Sequence, residues 1–256
     1  MPHNIKEKDH PMKNIRLVIE YDGTDYCGWQ IQPNGITVQQ CINDALSRLE
    51  GKAIHVTGAG RTDSGVHALG QTANFITQSN IPPEKYRDAL NSLLPDSIRV
   101  NYSEEVPLSF NARFSAKKKT YKYTVRNSHT ASAIGCRYEY HFPGSLDIES
   151  MRRACEYYTG EHDFAAFMAS GSSVKDTVRT VFDAHIDVDM PLIVFSVTGN
   201  GFLYKMVRFM TGTLLDIGRG KYKPEYVKLL LEKKGDVKAA TAAPAKGLLL
   251  YGIEYE

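Results

Sequence analysis

Hydrophobic positions along this chain follow two periods, that of a strand and that of a helix, and the same element order comes round twice. Residues 15–21 alternate as a strand. Residues 37–50 put Val38, Ile42, Ala45, Leu46 and Leu49 on one face, the spacing of an amphipathic helix. Thr37 and Gln40 form a capping-box pattern at its start, and Gly51 stops it. Strands follow at 53–58 and 71–77. A helix at 83–94 lies between Pro82 and Pro95, and a strand at 97–103 closes the half. The order β-α-β-β-α-β is that of a ferredoxin-like split βαβ unit.

The second half approximately repeats it. In residues 119–126, Tyr121, Tyr123 and Val125 alternate with Thr120, Lys122 and Thr124. A helix at 147–159 ends at Gly160. Residues 180–189 and 192–198 read as a hairpin turning at Met190-Pro191. Helices at 202–217 and 224–234 and a strand at 247–255 follow. The expected fold class is therefore α+β: two ferredoxin-like (RRM-like) α/β halves, with mainly antiparallel sheets packed around a central cleft. The expected divisions are a polar tail at 1–11, an N-terminal domain at 12–112 and a C-terminal domain at 113–256. Met12, just ahead of the first strand, is a candidate alternative start. No low-complexity linker separates the halves, so they are expected to share a cleft, a common place for a site.

Composition narrows the class. The 256 residues are 42% hydrophobic and 23% charged, as in a globular protein with ample core. No apolar run approaches the ~18 residues of a membrane span, and the N-terminus lacks the apolar stretch of a signal peptide. Cys27, Cys41, Cys136 and Cys155 form no C-x-x-C pair, so neither disulfides nor a zinc site is expected and a cytoplasmic location fits. The histidines offer no metal-ligand spacing. Net charge is only +2, but it is unevenly placed. Residues 113–126 hold six cations and no acid, interleaved with Phe114, Tyr121 and Tyr123; residues 199–223 hold five cations and one acid, Asp216. A charge run is most often a solvated face, yet cations mixed with aromatic rings suit phosphates plus a stacked base.

The candidate chemistry lies in residues 58–68, Gly-Ala-Gly-Arg-Thr-Asp-Ser-Gly-Val-His-Ala. Arg61 stands two residues before Asp63 among Gly58, Gly60 and Gly65. Such a loop brings backbone close to a ligand and keeps a carboxylate beside a cation. A dinucleotide fingerprint would need glycine at Asp63, and no phosphate-loop motif occurs. Taken alone, an aspartate in a glycine-rich loop is more often a turn or cap residue.

The chain resembles the tRNA pseudouridine synthase A family from Ile15 to Tyr255, through motifs in order. These are Tyr21-Asp-Gly-Thr-Asp-Tyr-Cys-Gly-Trp-Gln30, Val38-Gln39, Gly60-Arg-Thr-Asp-Ser-Gly-Val-His-Ala68, Phe110-Asn-Ala-Arg-Phe-Ser-Ala116, Tyr121-Lys-Tyr123, Gly201-Phe-Leu-Tyr-Lys-Met-Val-Arg208 and Pro244-Ala-Lys-Gly-Leu-Leu-Leu250. Ser64, Asn111, Lys205 and Phe209 depart from the more usual residues. The resemblance implies a catalytic role for Asp63, a base-contacting tyrosine at Tyr121, substrate-binding arginines at Arg61 and Arg208, and an apolar pocket wall at Leu248 or Leu250. It implies a homodimer, tRNA held across both subunits, and uridines 38, 39 and 40 of the anticodon stem-loop as targets.

That chemistry breaks the N1–C1′ bond, turns the uracil and joins C5 to C1′, with no net redox change and no group donor. No cofactor or metal is expected. A carboxylate could attack C1′, take a 2′ proton or add to the base. In each case Asp63 must be ionised, which Arg61 and Arg208 favour. The uridine must leave the stack; Arg61 could fill the vacated space or hold a phosphate, and Tyr121 could stack on the uracil. His67 is expected to be structural. Lys117, Lys118, Lys119 and Lys122 are candidate contacts to the RNA backbone. Two rivals are a non-catalytic RNA-binding protein on RRM-like halves, whose F/Y-rich strand is missing, and a glycoside hydrolase, which needs a second carboxylate.

Overall fold

The computed structural model describes residues 11–171, 174–233, 236–237 and 239–256. Residues 1–10 of the expected tail and residue 234 of the expected helix at 224–234 lie outside them.

The first half runs β1 (Lys13–Tyr21), α1 (Val38–Glu50), β2 (Thr57–Gly58), β3 (His67–Thr77), α2 (Tyr86–Asn91) and β4 (Ile98–Val106). Thr37 caps α1 by accepting from the Gln40 amide, and Gly51 closes it at φ 69°. The second half runs β5 (Lys118–Asn127), β6 (Tyr140–Phe142), α3 (Ile148–Glu156), β7 (Gly160–Asp163), β8 (Val178–Asp189), β9 (Leu192–Gly199), α4 (Met206–Gly218), α5 (Tyr226–Glu232) and β10 (Leu248–Glu254). The fold is mixed α and β, and most strand pairs are antiparallel.

Separate sheets were expected for the two halves. Instead one ten-stranded sheet runs through both, in the order β4-β1-β3-β10-β5-β9-β8-β7, with β2 on β3 and β6 on β5. The reason is the length of β3, expected at 71–77 but beginning at His67, so that it runs past the end of β2, whose Thr57 and Gly58 pair opposite Asn74 and Ala73. The Trp29 indole fills the space over Gly58, where a Cβ would stand 2.4 Å from Nε1, and the strand stops there. One end of β3 is left without a partner on that side. β10 takes it in parallel, Leu249 opposite His67 and Leu250 opposite Ala68, while its other edge pairs with β5.

Cross-strand partners point to the same side of a sheet. Tyr21, Ala68, Leu250, Tyr121 and Val197 therefore form one buried row across five strands. The residues buried beneath α1, α2, α3 and α4 join this face in one core that includes Ile15, Leu17, Ile19, Phe75, Tyr123 and Phe195. The segment between the halves crosses the opposite face and is firmly held. Asn14 donates to the carbonyls of Pro107 and Phe110 at 3.0 and 2.8 Å, Asn74 accepts from the Ala112 amide at 2.8 Å, and Tyr255 donates to the Ala112 carbonyl at 2.9 Å.

Candidate active site

The loop from Ala59 to Val66 joins β2 to β3 and lies on the helix-bearing side, where the halves meet. The segment before α1 holds it from one flank. The Trp29 amide donates to the Thr62 carbonyl at 3.1 Å, Ser64 donates to the Tyr26 carbonyl at 3.1 Å, and the Tyr21 and Thr62 hydroxyls are 2.8 Å apart. Gly28, at φ 85°, lets that carbonyl approach: a Cβ there would stand 2.5 Å from the Thr62 oxygen. Gln71, fully buried on β3, donates to the Gly60 carbonyl at 2.8 Å. This packing ties the motif at 21–30 to the motif at 60–68.

The other flank comes from the second half. Arg208 on α4 donates from Nη1 to Asp63 Oδ2 at 2.8 Å, with both side chains under a fifth exposed. Its Nε donates to the Ala243 carbonyl at 2.8 Å, so the guanidinium reaches the carboxylate already oriented. A narrow cavity of ≈ 60 Å³ opens over the carboxylate, lined by Arg61, Asp63, Tyr121, Phe202, Lys205 and Leu248 among others. Ligand cavities usually span ~300–1,000 Å³, so this slot admits part of a substrate, such as one flat ring.

Tyr121 is 7% exposed, with its ring edge-on to Phe202 at 5.1 Å between centroids. Burial first, then the neighbouring Tyr21 and Asp63, pushes its hydroxyl pKa far above the usual phenol range. The phenol is neutral at any physiological pH, and it has no hydrogen-bond partner among the described residues. Leu248 lines the slot, whereas Leu250 lies in the sheet floor between Ala68 and Tyr121. Arg61 is exposed at the rim, with no ion pair among the described residues. The two arginines are thus unlike: one is anchored to the carboxylate and the other is free.

The four lysines do not make one strip. β5 alternates without a bulge against β9, so Lys119 shares the site face with Tyr121, while Lys118 and Lys122 point to the opposite face. Lys122 lies 3.9 Å from the Tyr251 ring centroid, and Lys118 pairs with Glu254 at 3.4 Å. Lys117 is exposed just ahead of the strand. Lys119 is turned inward, its amine 2.7 Å from the Ala59 carbonyl.

His67 is buried away from the slot. Its Nδ1 accepts from the Gly23 amide at 3.0 Å and its Nε2 lies 3.0 Å from the Arg137 carbonyl. Phe202 and Lys205 line the slot but had no role in the sequence reading. The expected helix at 202–217 begins only at Met206 because Lys205 adopts φ 60°, a left-handed conformation that a non-glycine residue rarely takes. A turn closed by the Met206 amide on the Leu203 carbonyl at 3.0 Å precedes the helix instead, and Phe202, just ahead of it, packs on Tyr121.

A neutral phenol, an anchored carboxylate and a free guanidinium around a flat slot make an acid–base or nucleophilic site for a planar group. The model of the tRNA pseudouridine synthase family matches residues 17–115 and 154–256, and the chain belongs to that family. It is accordingly an isomerase that converts uridine to pseudouridine in tRNA. The tRNA pseudouridine synthase A of Caldicellulosiruptor saccharolyticus is 50% identical over 244 residues, 95% of this chain and 100% of that protein. Those of Clostridium acetobutylicum and Acetivibrio thermocellus are 48% and 46% identical over the same shares. Among solved structures, the archaeal box H/ACA sRNP Nop10-Cbf5 complex matches at 12% identity and a TM-score of 0.35, over 91% of this chain and 46% of that one.

Proposed function

We propose that the enzyme acts at uridines 38, 39 and 40 of the tRNA anticodon stem-loop, with Asp63 as the catalytic carboxylate and no cofactor or metal. The observation that carries this reading is the Asp63–Arg208 pair at 2.8 Å, at the mouth of a slot walled by Tyr121 and Leu248. A flipped uracil enters the slot with its face on the Tyr121 ring. Asp63 acts near C1′, C2′ or C6 while the N1–C1′ bond breaks. The ring turns, C5 joins C1′, the C5 proton leaves to solvent and N1 takes up a proton, so atoms and electrons balance without a second substrate. Arg208 keeps the carboxylate aimed. Arg61 fills the place of the flipped base or holds a flanking phosphate.

The same reading includes a cytoplasmic homodimer holding each tRNA across both subunits, and two domains at 12–112 and 113–256. Strand orders β4-β1-β3-β2 and β10-β5-β9-β8, antiparallel within each group, support a ferredoxin-like ancestry for both halves. Lys117, Lys118 and Lys122 contact the RNA backbone.

Release of tritium from uridine C5 in unmodified tRNA, without added cofactor, tests the proposal. Wild-type protein should release it and Asp63→Ala should not. Release by the variant at the wild-type rate would sink the assignment. A protein that only binds RNA would release none in either form.

A further inference from the structure

We infer that Lys119 is a positioning residue for the reaction, gripping the catalytic loop from the second half of the chain rather than binding RNA phosphate. The inference rests on the reading of the Asp63 loop as the active site.

Lys119 lies two residues before Tyr121 on the same face of β5. Its amine stands 2.7 Å from the carbonyl of Ala59, two residues before Arg61 and four before Asp63. The next residue is Gly60, at which a Cβ would stand 3.4 Å from the same nitrogen. Glycines at 58 and 60 leave this stretch of backbone free to turn. Something outside it must fix its path. Two carbonyls are held in sequence: Ala59 by Lys119 and Gly60 by Gln71. Farther along, Arg208 holds the Asp63 carboxylate. The second half thus grips the loop at two points, Lys119 on the backbone entering it and Arg208 on the reacting group.

The surroundings speak against a phosphate contact. Lys119 is largely withdrawn from water, and burial, with Arg113 and Arg179 nearby, lowers its pKa to about 8. A neutral or a charged amine can donate to a carbonyl, the charged form more strongly. Among the described residues the one acceptor for this amine is the Ala59 carbonyl, and a phosphate would have to reach it in a largely enclosed position. Arg113 carries the exposed charge of that neighbourhood; it is the group a passing backbone meets.

Lys119→Met removes the amine and keeps the length; Lys119→Arg keeps a donor. Both are compared with wild type in single-turnover conversion of an anticodon-arm RNA, in RNA affinity against salt, in thermal unfolding, and in hydrogen–deuterium exchange at residues 57–66. For Lys119→Met we expect conversion to fall about 10- to 100-fold, the loss a small misplacement causes. Affinity should stay within about twofold, with the salt slope and melting temperature not reduced and the loop exchanging faster. Lys119→Arg should recover much of the rate. Weaker binding with a slope smaller by ~0.7–0.9 would make Lys119 a phosphate ligand and overturn the inference. So would a wild-type rate in Lys119→Met, or a rate loss that follows a lowered melting temperature and that Lys119→Arg does not recover. If wild type itself converts no uridine, the functional reading fails. The exchange comparison then still decides whether Lys119 holds the loop: unchanged exchange overturns the inference.

Discussion

The two halves of the chain contribute to the site in unlike ways. The first half supplies the carboxylate proposed to react, on a loop: Asp63, with Arg61 beside it, on backbone made permissive by glycine. The second half supplies its parts from regular elements. Tyr121 and Lys119 come from β5, Leu248 from the start of β10, and Arg208 from the first turn of α4. A loop can reach into a cleft, but it cannot by itself hold a carboxylate to a fraction of an ångström. A strand and a helix can, because their own hydrogen bonds fix them. In the proposed mechanism irregular backbone carries the carboxylate and regular elements aim it.

The sharpest way to break that division is to remove what only the loop provides. Asp63→Asn keeps the shape and deletes the charge, so conversion should fall by ~10³-fold or more in single-turnover assays. RNA affinity should survive, since phosphate contacts made elsewhere dominate it. Equal losses of affinity and rate would make Asp63 a binding residue. The next largest effect should come from the aiming side. Arg208→Lys cannot span both the Ala243 carbonyl and Asp63 with one ammonium, and its rate should drop ~10²-fold with little change in affinity. A wild-type rate would mean that the carboxylate aims itself.

Smaller effects sharpen the picture. Tyr121→Leu removes the stacking ring and should cost ~1–3 kcal/mol, read as a loss of conversion at limiting RNA. Tyr121→Phe should keep that part and lose rate only if the hydroxyl moves the C5 proton. On the face away from the slot, Lys118→Ala with Lys122→Ala should flatten the salt dependence by up to ~0.7–0.9 per phosphate contact and leave the rate at saturating RNA unchanged. A rate loss at saturation would erase the distinction between the faces. The smallest effect is one of stability. The folded protein lowers the Lys119 pKa from 10.5 to about 8, so between those values it binds fewer protons than the unfolded chain. Stability should therefore rise with pH across that window, and the cost of the buried ammonium is present in full below it. Lys119→Met should show a shallower rise in urea melts from pH 8 to 10.

Much of this was legible in the sequence for a physical reason. Val38, Ile42, Ala45 and Leu46 bury one helix face, and Tyr121, Tyr123 and Val125 bury one strand face, so local spacing carried the elements. The motif at 60–68 pointed to the loop, although what holds it is long-range: Lys119 to Ala59 and Arg208 to Asp63 are contacts that no local pattern encodes. The short strands β6 and β7 were missed because Tyr140–Phe142 and Gly160–Asp163 are too brief to show alternation. The late start of α4 was missed because the left-handed turn at Lys205 leaves no trace in hydrophobic period. The four lysines read as one basic strip until the pleat of β5 divided them between two faces.

The place of β10 has a consequence for how the enzyme comes into being. It is the last strand in sequence and one of the innermost in the sheet, parallel to β3 on one side and antiparallel to β5 on the other. As the chain leaves the ribosome, nine strands emerge before the one that joins them. Until it arrives, β3 and β5 each present an open edge, and the sheet is not continuous between the side that bears Asp63 and the strand that bears Tyr121. Synthesis of this strand therefore doubles as a checkpoint: a product cut short before Leu248 carries Asp63, Tyr121 and Arg208 but not the strand that joins the two parts of the sheet.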